Sequence, residues 1–184
     1  MLKIITGTPG TGKHTVARIL ARKLELELID VNKVSINEGV TKKNGQVLEV
    51  DVQKLKKILN KKIPKNALLV GHLAPYVVSK SKADIAVVLR RNPYNLEKVY
   101  KKRGYDKKKL LENLGSEIIG ITYYDMIKNV GHKKTFQFDT TNKSVSSTVK
   151  KIESLFAKGK AKEDNVDWLK IVSEKRDLKR FFPY

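Results

Sequence analysis

The sequence contains no cysteine and no long apolar run, and both absences narrow what the protein can be. Without cysteine, a disulfide scaffold and a thiolate metal site are excluded, and a reducing intracellular compartment is favoured. No apolar run approaches the length of a membrane-spanning helix, and residues 1–6 lead straight into a glycine-rich loop, so neither a membrane span nor a removable signal is expected. We therefore predict a cytoplasmic protein.

Acidic residues are also scarce relative to basic ones. The 184 residues include 39 Lys and Arg but only 19 Asp and Glu, which gives a formal net charge of +20. An enzyme that binds one small anion needs only a few cations, and thermophilic surfaces usually add Glu together with Lys, although a Lys-rich proteome would also produce this excess. We favour a polyanionic partner, RNA in particular, as the explanation.

A glycine-rich loop at residues 7–15, Gly-Thr-Pro-Gly-Thr-Gly-Lys-His-Thr, is the most informative stretch of the chain. It stands between an apolar run and a helical pattern, which is the context that a phosphate-binding loop requires. The backbone N–H groups of such a loop surround a polyphosphate, and Lys13 reaches the outer phosphates. The loop therefore predicts ATP binding. His14 stands where most such loops carry the Ser or Thr that touches Mg²⁺. The loop therefore predicts ATP binding more firmly than it predicts that the bound ATP is turned over.

Apolar runs alternate with helical patterns, and the 40% hydrophobic content is enough for one sizeable core. We predict a three-layer α/β fold, a parallel sheet with helices on both faces. The expected strands are 2–6, 24–29, 67–70, 84–89 and 135–138, and the expected helices are 12–23, 50–59, 93–102, 106–128 and 143–157. Residues 30–50 are expected to form a polar, mobile loop region. Residues 158–184 are interpreted as a basic linker and a C-terminal appendage that docks through Trp168 and the final Phe-Phe-Pro-Tyr, with contact to a partner as the alternative.

Several segments together resemble one known family. They are the G-x-P-G-x-G-K form of the loop, His72 after the strand at 67–70, Arg103-Gly104-Tyr105, Lys108, Lys109, Leu110, Asn113, Glu117-Ile118, and the turn Asp139-Thr140-Thr141. In this order they resemble the adenylate kinase isoenzyme 6 family, nuclear and archaeal kinase-ATPases linked to maturation of the small ribosomal subunit. The resemblance covers about residues 1–157.

The resemblance implies a P-loop domain of the nucleoside-monophosphate-kinase type over residues 1–157, with an acceptor-binding segment near 30–53 and a short lid near 102–112. It implies transfer of a phosphoryl group from ATP to AMP, with ATP hydrolysis beside it and Mg²⁺ accompanying ATP. It also implies a small-subunit ribosomal protein and rRNA as partners. The positions that hold ATP are Gly10, Gly12, Lys13, His14, Thr15 and, from the lid, Arg103.

Three residues are the candidates for catalysis. Lys13 would neutralise the β- and γ-phosphate oxygens. Arg103 would spread its charge over the transition state or stack on adenine, unless it is one of many surface cations. His72 would position a water molecule or contact the γ-phosphate, unless it is a histidine satisfied by the backbone at a strand end. Thr15 is a candidate phosphate or Mg²⁺ contact, with a bond back to its own helix as the alternative.

Two departures from the family pattern concern the metal. The family usually has Thr or Ser at the position of His14 and an acidic residue where this chain has Val70, so both protein anchors expected around Mg²⁺ are missing. Asp30, Glu49 and Asp51 are the candidate substitutes, and water with phosphate oxygens is the other way to hold the ion. Three hypotheses remain: an ATP–AMP kinase, a ribosome-assembly ATPase controlled by lid closure, and a nucleotide-binding module without turnover.

Overall fold

The computed structural model describes residues 1–44 and 47–183, and the core of these residues is a parallel sheet between layers of helices. The strands are β1 (Leu2–Thr6), β2 (Glu27–Asp30), β3 (Thr41–Asn44), β4 (Val47–Val50), β5 (Ala67–Val70), β6 (Ala83–Arg90) and β7 (Thr135–Asp139). The helices are α1 (Lys13–Lys23), α2 (Val31–Asn37), α3 (Val52–Lys62), α4 (Ala74–Val77), α5 (Pro93–Lys102), α6 (Lys107–Ile118), α7 (Ile121–Val130), α8 (Val145–Lys158), α9 (Trp168–Glu174) and α10 (Leu178–Phe181).

Five strands form the parallel sheet in the order β2-β5-β1-β6-β7, which confirms the predicted α/β fold class. β1 and β5 are buried along their whole length because strands flank them and helices cover them. Side chains alternate across the sheet. Ile4 packs with residues of α3, α4 and α7 on one face, whereas Ile5 packs with residues of α1 and α8 on the other. The carboxyl ends of these strands all lie at one edge, where α/β proteins bind ligands.

The segment 30–50 is more regular than we expected. Asp30 caps α2 by accepting hydrogen bonds from the N–H groups of Asn32 and Lys33, and β3 and β4 pair as an antiparallel hairpin. The prediction of a loop over this segment was therefore wrong, except that residues 45 and 46 lie outside the described part. The elements are too short to show a sustained hydrophobic period, so their caps and backbone pairing define them. The helix expected at 50–59 is α3, which begins after its cap Asp51 and continues to Lys62.

Two other predicted elements differ in their bounds. The strand expected at 24–29 is β2, which starts at Glu27, because Glu25 adopts a left-handed φ of 51° in the turn that closes α1. The helix expected at 106–128 is divided into α6 and α7, because Gly120 adopts a φ of 73° between them. A left-handed residue cannot continue a right-handed helix, and glycine adopts this conformation at little cost.

The C-terminal segment returns to the domain as we expected. Trp168, Val172 and Phe181 are buried in a third apolar cluster with residues of α5 and α6. The helix predicted at 143–157 is α8, and it is followed by the two short helices α9 and α10. Tyr184, the last residue of the predicted docking motif, lies outside the described residues. Within the described chain, no helix is both long and apolar enough to cross a membrane.

Candidate nucleotide-binding site

The glycine-rich loop joins the central strand β1 to α1, so it opens at the carboxyl edge of the sheet. Gly7 approaches the neighbouring strand so closely that a Cβ atom there would lie 2.3 Å from the carbonyl oxygen of Leu89. Glycine is therefore required at this position by space as well as by its φ of 140°. The loop continues into α1 with the N–H of Val16 donating to the carbonyl of Gly12.

A cavity of about 880 Å³ adjoins the loop, and we call it the loop cavity. It is large enough for a nucleotide, since small-molecule sites commonly enclose about 300–1,000 Å³. The residues predicted from the sequence that line it together are Gly10, Gly12, Lys13, His14, Thr15, His72 and Arg103. Sequence reasoning did not single out Arg18 or Asn32, which line it as well.

Lys13 is the most perturbed cation of the loop cavity. It is 5% exposed, and its Nζ donates to the carbonyl oxygen of Thr8 at 3.2 Å. Burial lowers the pKa of Lys13 to about 8, and the charge of Arg103 lowers it further, while Asp30 and Glu117 act in the opposite direction. A buried ammonium group with a lowered pKa gains most from an incoming polyanion, because the anion restores the preference for the charged form.

His72 lies at the mouth of the loop cavity, two residues beyond the end of β5. The side chain is exposed, yet partial desolvation lowers its pKa to about 4, and the positive charges of Lys13 and His14 add to this effect. The imidazole is therefore neutral at pH 7. In this state one ring nitrogen donates and the other accepts, so His72 can orient a phosphate or a water molecule without adding charge.

His14, at the start of α1, is paired with Asp30, at the end of β2. The distance from His14 Nδ1 to Asp30 Oδ2 is 3.1 Å. Burial opposes ionisation of Asp30, but the hydrogen bond and charge of His14 and the N–H groups of Lys33 and Asn32 outweigh it, and the pKa of Asp30 lies below its ordinary value. Asp30 is also the register partner of Val70 on the adjacent strand. A carboxylate thus stands one strand away from the position where the acid is missing.

The residues present do not form a protein site for a divalent metal. Asp30 is engaged by His14, and Val70 is apolar and buried. Glu49 and Asp51, the other candidate substitutes, line a separate cavity beside Gly39 and do not reach the loop cavity. Over residues 1–44 and 47–183, no group of three or more His, Cys, Asp or Glu side chains is placed to hold a metal ion.

Arg103 lies in the turn between α5 and α6, over the mouth of the loop cavity. Its guanidinium group is exposed, and its charge contributes to the lowered pKa of Lys13. Beside it, Tyr105 stacks on Tyr100 with the ring centroids 5.1 Å apart, and Lys109 Nζ lies 4.6 Å from the Tyr105 ring. At the start of α6, the Asp106 carboxylate accepts a hydrogen bond from the Lys109 N–H and caps the helix.

The carboxylate of Glu117 lies beneath the loop and is the main feature that sequence reasoning missed. It is 1% exposed and accepts hydrogen bonds from Thr8 Oγ1 at 2.6 Å, Arg90 Nε at 2.8 Å, the Arg91 N–H at 3.0 Å and Trp168 Nε1 at 3.0 Å. We call these five residues the support network. In the sequence, Glu117 was noted only as one of the segments that carry the family resemblance, without a role of its own. The signal that could have identified it is its place beside Leu110, Leu114 and Ile118, on the buried face of a helix.

Other residues hold the loop from the same side. Tyr100 Oη donates to the carbonyl of Pro9 at 2.7 Å, and Arg91 Nη1 donates to the carbonyl of Gly10 at 3.0 Å. Thr140 Oγ1, from the turn after β7, lies 3.3 Å from the carbonyl oxygen of Thr11 and 3.0 Å from that of Arg90, so its one proton is available to either. Consecutive carbonyls of the loop therefore point away from the cavity, which leaves its N–H groups available to an anion.

A second cavity of about 660 Å³ lies beside the loop cavity. His14 and Arg18 line both, so this side of α1 separates them. Its remaining wall comes from β2, α2 and α3, with Lys33 and Lys62 among the lining residues. Neighbouring residues of α2 therefore line different cavities: Asn32 lines the loop cavity and Lys33 lines the second one.

The sequence is similar to known families over most of its length. A family model described as an AAA domain matches residues 4–120. A protein provisionally named an adenylate kinase, from Pyrococcus furiosus, is 35% identical over 176 residues, which is 95% of this chain and 94% of that protein. A relative with the same name from Methanosarcina barkeri is 31% identical over 94% of this chain and 100% of its own length.

Solved structures with the same fold are more distant in sequence. A shikimate kinase from Acinetobacter baumannii, in complex with shikimate, superposes with a TM-score of 0.60 at 20% identity, covering 88% of this chain and 95% of that one. A gluconokinase from Sinorhizobium meliloti gives a TM-score of 0.53 at 12% identity, covering 99% of this chain and 97% of that one. At such identities the likeness shows the fold alone.

Proposed function

Because the chain belongs to the archaeal adenylate kinase family of P-loop proteins, we propose that it transfers the γ-phosphoryl group of ATP to AMP and produces two molecules of ADP. The observation that carries the proposal is the cationic lining of the loop cavity, in which Lys13 and Arg103 face the same space as the loop N–H groups. Phosphoryl transfer needs mainly position and positive charge, and this cavity supplies both.

ATP would bind with its β- and γ-phosphates in the loop, where Gly10, Gly12, His14 and Thr15 line the cavity. Lys13 would leave the Thr8 carbonyl and turn to the phosphates, which bind an ammonium group more strongly than a neutral carbonyl does. Arg103 would lie over the same phosphates from the turn between α5 and α6. The segment 102–112 would act as the lid, as the family resemblance implies.

The transfer step exchanges one bond for another. An oxygen of the AMP phosphate forms a bond to the γ-phosphorus of ATP, the bond from that phosphorus to the β–γ bridging oxygen breaks, and its electron pair stays on the departing ADP. The attacking oxygen is already anionic, so no general base is required. Lys13, Arg103 and neutral His72 would contact the oxygens on which charge develops, and water excluded by the lid would be unable to compete.

The acceptor would enter beside α2, within the segment 30–53. Asn32 is the residue of α2 that lines the loop cavity together with His72, so it is the residue of α2 best placed to contact the AMP phosphate. We expect Asn32→Ala to raise the KM for AMP several-fold and to leave the Kd for ATP unchanged. Lys33→Ala is the matched control, because Lys33 lies next to Asn32 but lines the neighbouring cavity. Equal effects of both substitutions would argue against this acceptor position.

Mg²⁺ would arrive as part of the ATP substrate, held by phosphate oxygens and water. The proposal follows from the residues around the loop, because neither His14 nor Val70 offers an oxygen ligand and Asp30 is engaged by His14. Thr15 is the remaining hydroxyl of the loop that could reach the ion. Titration of MgCl₂ at fixed ATP should follow formation of the Mg–ATP complex, and a separate tight site on the free protein would contradict the proposal.

The experiment that tests the proposed activity measures ADP formation in the presence of ATP, AMP and Mg²⁺, together with release of inorganic phosphate. A kinase forms ADP only when AMP is present and releases no phosphate. Lys13→Ala, purified in the same way, controls for contaminating kinases. Binding of ATP without AMP-dependent ADP formation would overturn the proposal.

A second candidate is a ribosome-assembly factor that uses ATP binding and hydrolysis as a switch. The net charge of +20 favours it, because the loop cavity accounts for only a few of these cations. The partners would be rRNA and a small-subunit ribosomal protein, and lid closure on ATP would control the contact. We expect affinity for small-subunit rRNA to fall steeply with salt and to differ between the ATP and ADP states. Equal affinity in both states would remove this candidate.

A third candidate is a nucleotide-binding protein with little turnover, and His14 and Val70 are the observations behind it. Restoring oxygen ligands with the double variant His14→Thr, Val70→Asp should then increase ATP turnover above that of the wild type. If the wild-type chain already turns over ATP rapidly, this candidate fails.

A further inference from the structure

A buried hydrogen bond joins the C-terminal segment to the carboxylate that lies beneath the glycine-rich loop. Trp168 stands at the start of α9, is 6% exposed, and donates from Nε1 to Glu117 Oε1 at 3.0 Å. The other carboxylate oxygen of Glu117 accepts from Thr8 of the loop. One carboxylate therefore lies between the C-terminal segment and the loop.

Thr8 carries this connection to the residues that face a phosphate. Its carbonyl accepts hydrogen bonds from Lys13 Nζ at 3.2 Å and from Thr11 Oγ1 at 3.0 Å. A shift of the Glu117 carboxylate would move Thr8, and with it the starting position of the Lys13 ammonium group. The coupling needs two contacts only, from Trp168 to Glu117 and from Glu117 to Thr8.

The segment from α9 to Phe182 docks on the same helix that carries Glu117. Val172 and Phe181 pack into the third apolar cluster, and Phe182 lies against Gly115, where an added Cβ would come within 3.2 Å of its ring. Tyr94 Oη also donates to Asp177 at 2.7 Å. These contacts hold the segment in place whether or not Trp168 keeps its hydrogen bond, so the role of the hydrogen bond can be tested separately from docking.

We propose that Trp168 is a positioning residue of the nucleotide site: by donating to Glu117 it fixes the carboxylate that holds Thr8, so that ATP occupancy of the loop and docking of the C-terminal segment favour each other. The proposal deepens the proposed function and rests on its premise that the loop binds ATP. Because coupling free energies are reciprocal, ATP must also strengthen the docking of α9.

The first test removes the hydrogen-bond donor and keeps an aromatic ring. We expect Trp168→Phe to weaken ATP affinity, measured by calorimetry, by about three- to tenfold, the size of effect that a residue without ligand contact produces through its neighbours. Leu169→Ala is the control on the same helix, since Leu169 is exposed and should leave the affinity unchanged.

A second control separates positioning from general loss of stability. Val172→Ala removes buried apolar contact from the same segment without touching Glu117. It should lower the midpoint of urea unfolding and leave ATP affinity unchanged at temperatures well below unfolding. If Val172→Ala weakens ATP binding as much as Trp168→Phe does, the effect is general destabilisation and the proposal is overturned.

The wild-type chain offers an independent measurement, because Trp168 is its single tryptophan. Saturation with ATP should change the indole emission, since the ligand moves Lys13 and Thr8 and so alters the carboxylate that the indole contacts. ATP binding with unchanged emission and a normal Kd in Trp168→Phe would overturn the proposal and leave the proposed function intact. Absence of ATP binding by the wild type in calorimetry would overturn both.

Discussion

The two sides of the glycine-rich loop differ in how their charges are matched. On the cavity side, the loop cavity is lined by five Lys and Arg side chains, Lys13, Arg18, Arg103, Lys108 and Lys109, but by only two carboxylates, Asp106 and Glu112. On the buried side, the carboxylate of Glu117 accepts four hydrogen bonds from the other members of the support network. One side has unmatched positive charge and the other has a carboxylate whose partners are all in place.

This difference separates the residues that are available to bind a ligand from those that hold the loop in place. The low pKa of Lys13 shows that the free loop cavity disfavours the charge that a phosphate would restore, so the cavity side is poised for an anion. The hydrogen bonds to the Glu117 carboxylate are in place without a ligand, so a ligand can affect the support network only indirectly, through Thr8. Substitutions on the cavity side should therefore change ligand binding with little effect on folding, and substitutions in the support network should do the reverse or change both.

The largest effect that would sharpen this comparison is expected for Lys13→Ala. Removing the ammonium group should lower phosphoryl transfer by about 10²–10³-fold, because a preorganised charge at the transferring group is lost. The free energy of unfolding should be unchanged or higher, since a buried charge is removed. Steady-state kinetics and urea unfolding measure both, with Lys57→Ala on exposed α3 as the control. A stable variant with full activity would show that the cavity side is not where phosphate binds.

On the buried side of the loop, Glu117→Gln should lower the stability of the fold. Arg90 would keep its charge in a buried site and lose its carboxylate, and breaking such a pair costs about 3–5 kcal/mol of unfolding free energy. Urea unfolding measures the loss. Glu112→Gln, an exposed position on the same helix, should change stability by no more than about 0.5 kcal/mol. If the two variants were equally stable, the support network would not be what holds the loop.

Arg103→Ala tests whether an exposed residue over the cavity behaves as a cavity-side residue. We expect a decrease of about ten- to a hundredfold in kcat/KM, which corresponds to one charge-assisted hydrogen bond. The pKa of Lys13 should rise in the same variant, because the charge of Arg103 is the second cause of its lowering after burial. Lys102→Ala, one residue earlier in the chain, is the control. An unchanged pH dependence of kcat/KM would show that the charge of Arg103 does not affect the pKa of Lys13.

The smallest expected effect is proton uptake when ATP binds. The pKa of Lys13 is about 8 in the free folded chain against an ordinary 10.5, and bound phosphates should raise it. Between these two values binding should therefore take up as much as about one proton per ATP, which calorimetry in buffers of different ionisation enthalpy detects. Lys13→Arg, which stays charged, should take up none.

The lowered pKa of Lys13 also predicts how the free energy of unfolding changes with pH. In the free chain the unfolded state binds the Lys13 proton more tightly than the folded state does, so the contribution of Lys13 to folding stability should rise as pH increases from about 8 towards 10.5. Urea unfolding of the wild type and of Lys13→Arg over this range measures the difference. Parallel curves would show that Lys13 is not perturbed.

The parts of the fold that the sequence predicted are those with strong local signals. β1, the loop and α1 follow one another in a pattern that few other structures produce, and α5 has the bounds 93–102 that we expected. The hairpin of β3 and β4 was missed because its strands are short and β3 has the sequence TKKN, without an apolar residue, whereas the equally short β5 is an entirely apolar run. Gly120 was missed as a helix break because the sequence alone does not show whether a glycine within a helical pattern adopts a helical or a left-handed φ.

The candidate site divides in the same way. From the sequence, Lys13 and its neighbours could be expected to line one cavity, because they are adjacent in the chain. The surroundings of Glu117 could not be expected in the same way, because its partners Thr8 and Trp168 are 109 and 51 positions away. The pairing of His14 with Asp30 was equally hidden, since only the sheet register brings Asp30 beside Val70 and the loop. Long-range pairs of polar residues leave no periodic trace in a single sequence.

The span of the Glu117 hydrogen bonds also bears on the order in which the molecule is made. A chain is synthesised from its N-terminus, so the loop with Thr8 emerges before the residues that support it, and domains generally begin to fold in that order. The carboxylate beneath the loop follows 109 positions later, and its donor Trp168 follows a further 51 positions after that. The loop of the nucleotide site is therefore synthesised well before the hydrogen bonds beneath it can be completed.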